Sequence, residues 1–159
     1  MFFNFSIRLE KRFFSEMNQA LKLLRTVQWS MLASILLYGI VGEFVGRAPR
    51  GIDPSLTYVF TILGVAIVGV IFVVRRTLVL RAAESLAAHP EDHLSLNHWR
   101  TGYLACYALC EALALCGLLQ RILGGSLGQS MPYYLSGFVL LFFFRPREPE
   151  NTSALSGTR

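Results

Sequence analysis

Leu56–Val74 is a run of nineteen residues without one charged side chain. As an α-helix rising 1.5 Å per residue it covers about 28 Å, close to the ~30 Å hydrocarbon core of a bilayer. Backbone polar groups in hydrocarbon must be satisfied within the segment, so a helix is the form such a stretch takes. Three further apolar segments share this character: Thr26–Gly46, Gly102–Gln120 and Met131–Phe144. The first is uncharged apart from Glu43 near its end, and the second carries only Glu111. The last has fourteen residues and needs extra length from Leu127–Ser130, or snorkelling by Arg145 and Arg147. Composition agrees, with 16% charged and 53% hydrophobic residues, against roughly 25% charged in a soluble domain. The sequence therefore predicts an all-α membrane protein. Its form is a four-transmembrane-helix bundle in one domain over residues 1–145, with spans at about 26–46, 56–74, 102–120 and 131–144.

The distribution of Lys and Arg orients these spans. Arg8, Lys11, Arg12, Lys22 and Arg25 precede the first span. Arg75, Arg76, Arg81 and Arg100 lie between the second and third, and Arg145, Arg147 and Arg159 follow the fourth. Twelve of the fifteen basic residues thus fall on one side, leaving Arg47, Arg50 and Arg121 on the other. The positive-inside rule then puts both termini in the cytoplasm of a multi-pass protein of the cell (inner) membrane.

Outside the spans, Phe13, Met17, Ala20, Leu21, Leu24 and Val27 recur at helical spacing, which predicts an amphipathic N-terminal helix over about 8–25 on the cytoplasmic surface. No cleavable signal peptide is expected, because charge sits inside the first apolar stretch rather than before it. Thr77–Ala88 should extend the second span until Pro90, with Asn97 or Ser95 capping the third and Trp99 at the interface. Residues 146–159 are polar and without a core-forming pattern, and disorder is expected there.

Candidate chemistry centres on Glu111. A carboxyl at mid-span, with no Lys or Arg at its depth, has to be neutral or hydrogen-bonded, and by default it marks a functional site. Ser34, near the middle of the first span, and Tyr107, one turn away, are its expected partners. Two readings stay open: proton or cation binding, and a neutral carboxyl that fixes helix pairing through one hydrogen bond. Glu43 and Arg47, four residues apart, are expected to form a structural pair on one helix face. Gly42 and Gly46 make a GxxxG, and Ala108, Ala112 and Cys116 recur every four residues, as helix-packing ridges do. Cys106, Cys110 and Cys116 share one helix and form no disulfide framework, so they read as small packing residues. His89, Glu91, Asp92, His93 and His98 have no metal-ligand spacing and read as a solvated loop. No metal, cofactor or nucleic acid is expected, since the basic residues flank spans rather than forming a patch.

The stretch LACYALCEALALCGLL, residues 104–119, resembles the carboxylate-bearing helix of ATP-synthase proteolipid (c) subunits. The resemblance implies that Glu111 is an ion-binding carboxylate. The chain departs from that family in two respects. Its first span, MLASILLYGIVGEF, lacks the glycine-repeat helix, and its charge bias puts the termini on the opposite side. WSMLASILLYGIVGE also aligns with YALCEALALCGLLQR, Gly39 over Gly117, which would make the chain a duplicated helical hairpin. Without catalytic motifs, the expected function is a non-catalytic accessory or assembly component of an inner-membrane complex, its partners being membrane lipids and other membrane subunits or itself. The alternative is a small proton or cation transporter or channel that uses Glu111.

Overall fold

The computed structural model describes residues 2–46, 51–88 and 92–146. Helix α1, Phe2–Val45, runs 44 residues without a break. No Gly or Pro occurs between residues 2 and 38, so nothing in that interval ends or kinks a helix. The amphipathic segment expected at about 8–25 therefore continues directly into the first apolar span. Of that segment's apolar residues, Ala20, Leu21 and Leu24 are buried in the protein.

Helix α2, Pro54–Val74, opens with Pro54 at a first-turn position and with Asp53 as its cap, the carboxylate accepting from the Ser55 amide at 2.8 Å. It passes into a π-helical segment, Arg75–Leu80, and then into α3, Arg81–Ala88. Where the ladder changes pitch, the Thr77 hydroxyl donates to the Val73 carbonyl at 2.8 Å. Helix α4, His93–Ile122, begins earlier than the sequence suggests. Asp92, rather than Ser95 or Asn97, is the cap, accepting from the Leu94 amide at 3.0 Å. Ser95 lies in the first turn, where its hydroxyl bonds Asp92 and Ser85. Trp99, expected at the interface, is 1% exposed and belongs to the core.

Helix α5, Leu127–Phe143, is 17 residues long and rises about 26 Å. It starts at Leu127, four residues before the expected Met131. The turn that precedes it is tightly determined. Gly124, at φ 96°, and Gly125 donate to the carbonyls of Arg121 and Gln120, a Schellman closure that Gly permits at positive φ. Ser126 and Gln129 then form a reciprocal capping box.

The chain is all-helical, with no strand among the described residues. Three helices are long and apolar enough to cross a membrane: Met17–Val45, Pro54–Leu86 and Leu94–Ile122. Helix α4 is the hub. It packs against α1, α2, the π segment, α3 and α5, whereas α1 and α2 hardly touch among the described residues. The two halves suggested by the sequence thus do not pack alike: α4 and α5 form a close hairpin, and α1 and α2 meet through α4. The core joins Leu24, Leu32 and Ile35 of α1 and Ile71 of α2 to Trp99, Cys106, Tyr107 and Cys110 of α4 and Tyr134 and Leu141 of α5.

Glycines set the closest approaches, as expected where helices associate by packing rather than by a hydrophobic force. A Cβ at Gly137 of α5 would lie 2.7 Å from the Cys110 carbonyl oxygen, and one at Gly117 of α4 would lie 3.1 Å from the Ser130 carbonyl oxygen. At the other end of α4, a Cβ at Gly102 would lie 2.9 Å from Val79 and 3.0 Å from Leu78, so the π segment rests on a glycine.

Candidate functional site

Glu111 stands on α4 facing α1, partly buried. Its Oε1 accepts a hydrogen bond of 2.7 Å from the Tyr38 hydroxyl, which ties α4 to α1. Tyr38 is not among the partners expected from the sequence. Ser34 lies one turn earlier on α1, and its hydroxyl donates to the Ser30 carbonyl at 3.2 Å. Tyr107 is fully buried and points to the far end of α5, where it donates to the Phe144 carbonyl at 3.2 Å. Of the three candidates, then, Glu111 makes a tie between helices, while Ser34 and Tyr107 each satisfy a backbone carbonyl. Tyr38 was findable, because it lies four residues after Ser34 on the same face and its phenol reaches farther than a serine hydroxyl.

The chemistry open to this centre is narrow. One carboxyl with one phenol supplies far fewer oxygens than the six or more that hard cations such as Ca²⁺ take. Among the described residues no group of three His, Cys, Asp or Glu side chains converges as a metal site. His98 is exposed, while His89 and Glu91 lie outside the described residues. Cys106, Cys110 and Cys116 are free and buried.

A second polar tie lies at the end of α1 near Val45. Arg121 of α4 donates from Nε to Glu43 Oε1 at 3.1 Å, and from Nη1 to the Gly125 carbonyl at 2.8 Å. The Arg121 side chain is 10% exposed and that of Glu43 48% exposed. Arg47, the expected partner of Glu43, lies outside the described residues. Gly42 and Gly46 make room for this arrangement. A Cβ at Gly42 would meet Arg121 Cγ at 3.4 Å and the Tyr134 hydroxyl at 2.9 Å, and one at Gly46 would meet Arg121 Nε at 2.8 Å. The GxxxG of α1 is thus a seat for a side chain of α4. In the other ridge Cys116 is buried, Ala112 is half-buried and Ala108 is exposed.

Gln28 is a further tie that sequence reasoning missed. It is buried on α1, and its Nε2 donates to the Leu141 carbonyl at 2.8 Å, linking α1 to the far end of α5. A polar side chain inside an apolar run was the available signal.

One crevice of about 480 Å³ opens between α2, α4 and α5, lined by Thr57, Thr61, Val68, Leu113, Gln129 and Tyr133. Gln120 lines it, and its Oε1 is buried without a donor among the described residues. Comparison with protein-family models, with curated proteins and with solved structures gives no match to this chain.

Proposed function

We propose that this chain is a non-catalytic integral membrane protein, an accessory or assembly component of a larger inner-membrane complex. It crosses the bilayer four times with both termini in the cytoplasm, α5 being the short fourth span. The first turns of α1 emerge at the cytoplasmic surface, and its partners are lipids and other membrane subunits or a second copy. One observation carries this reading. Gln28, Tyr107, Glu111 and Arg121 are spent on joining the bundle's own helices, whereas the outer face of α2 is bare and apolar: Ile62 and Val65 are each 70% exposed. Intramembrane carboxyls that serve transport line a path with other polar groups, whereas among the described residues Glu111 has one hydrogen-bond partner, the Tyr38 phenol.

Photo-crosslinking from Ile62 and Val65 in native membranes tests the role. The reading calls for a discrete adduct with one protein species, and lipid adducts alone would defeat it. Topology is tested separately with reporters. One fused after Arg159 should report cytoplasm and one inserted near Asp53 the exterior, and an exterior C-terminus would eliminate the four-span arrangement.

The rival reading, a proton or cation transporter using Glu111, is separated by substitution. Glu111→Gln keeps shape and an acceptor for Tyr38 but cannot ionise, so it should leave both folding and any activity unchanged. Glu111→Leu should lower stability by about 0.6–2 kcal/mol, the range for hydrogen bonds between membrane helices. A Glu111→Gln protein that folds normally yet loses ion flux in proteoliposomes would establish the transporter instead.

A further inference from the structure

Arg25 of α1 and Arg145, just after α5, open onto one cavity of about 250 Å³. Trp29 forms a wall beside Arg25, one turn along the same helix face, and Leu32 and Phe142 continue the cavity as apolar surface toward the middle of the spans. The two arginines are held at this spot by buried contacts. Gln28 binds α1 to the Leu141 carbonyl at 2.8 Å. Phe144 is clamped from three sides: Tyr107 bonds its carbonyl at 3.2 Å, the Arg75 guanidinium sits 4.4 Å above its ring, and Phe72 meets it edge-on at 6.3 Å. The backbone that presents Arg145 is therefore fixed against the bundle. Among the described residues neither Arg25 nor Arg145 has an acidic partner.

We infer that this cavity is a binding site for the phosphate headgroup of an anionic phospholipid of the cytoplasmic leaflet. Guanidinium groups match phosphate geometry through paired N–H donors, and they outlast lysine as charges because they do not deprotonate. The apolar floor gives one acyl chain a route down the seam between α1 and α5. Trp29, 69% exposed, sits where indoles favour the headgroup level. A free phosphate would satisfy the arginines and leave the exposed rings of Phe142 and Phe143 uncovered, which favours a lipid. The inference rests on the membrane reading and on the orientation proposed above, and it stands whether or not the chain belongs to a complex.

The test uses the full chain in vesicles of phosphatidylcholine containing a small fraction of brominated phosphatidylglycerol or of brominated phosphatidylcholine. Bromine quenches nearby indoles. Trp29 is accessible and Trp99, 1% exposed, is shielded, so Trp29→Phe assigns the signal. At about 1 kcal/mol per basic residue at a membrane surface, two arginines correspond to a preference for the anionic lipid of about thirtyfold. In the double variant Arg25→Gln/Arg145→Gln that preference should disappear, and Arg25→Lys/Arg145→Lys should keep part of it. Arg81→Gln, exposed and away from the cavity, should keep all of it. Circular dichroism confirms that each variant is helical. Equal quenching by the two lipids, or a preference untouched in the double Gln variant, overturns the inference. Loss of the preference in millimolar inorganic phosphate overturns the lipid assignment and gives the cavity to a free anion.

Discussion

Gly137→Leu should prevent α4 and α5 from closing, and it is the substitution expected to do the most damage to this bundle. The atom facing Gly137 is the Cys110 carbonyl oxygen, 2.7 Å from where a Cβ would stand, with the Ala114 Cβ at 3.4 Å behind it. A side-chain neighbour can change rotamer, but a helical carbonyl moves only if its helix moves. Gly137→Ala alone should cost about 1–3 kcal/mol, the usual penalty for overpacking a tight site, and the branched side chain of Leu should exceed that range. Gly69 on α2 is the matched control, since a Cβ there meets nothing within 4 Å. Gly69→Ala should be neutral, or gain up to about 1 kcal/mol from helix propensity. Unfolding in mixed detergent micelles, followed by circular dichroism, compares the three. If Gly137→Ala unfolds with Gly69→Ala, the α4–α5 crossing is not as described.

The second large effect is expected at Glu43. Removing its carboxylate in Glu43→Ala leaves the Arg121 guanidinium nine-tenths enclosed, with the Gly125 carbonyl as its remaining bond. Breaking a fully buried pair in this way costs about 3–5 kcal/mol. Glu43 is half-exposed, so solvent offsets part of the loss and about 2–3 kcal/mol is expected here. The sign of a repair experiment identifies the cause. If an uncompensated charge is responsible, adding Arg121→Met to Glu43→Ala should restore most of the stability, because methionine covers Gly42 and Gly46 without needing a counter-charge. If the double variant is instead as unstable as the sum of the two singles, the two residues do not interact and the tie is refuted.

These two sites differ in how far the sequence discloses them. Segment-level facts were readable: charge-free length announces a helix of spanning size, and the run from Phe2 to Tyr38 without Gly or Pro explains why α1 does not break. Pairing between helices was not readable, because it depends on how each helix is rotated about its axis and at what depth it sits. Glu43 illustrates this. A rule of local spacing offers Arg47, which lies outside the described residues, and gives no hint of Arg121, 78 positions away, which bonds Glu43 in the structure. Glu111 repeats the lesson, since nothing in one helix's sequence says which turn of another will face it. The glycines are unequally legible for the same reason. Gly42 and Gly46 form a recognisable motif within one helix. Gly137 and Gly117 are isolated letters on two helices, and their importance exists only where those helices cross.

The hub position of α4 has a consequence for the order of events during synthesis. Helices α1 and α2 leave the ribosome first, yet among the described residues they offer each other almost no contact. On the membrane reading proposed above, each is held upright at that stage by its own apolar length, and neither has a neighbour to fix its rotation. Their ties, Tyr38 to Glu111, Glu43 to Arg121 and Val79 against Gly102, all end on residues that are translated later. On the same reading, the first half of the chain is expected to insert before it assembles, with α4 as the template on which it docks. Helix α5, which follows α4 after a four-residue turn, then locks that template through Gly117 and Gly137.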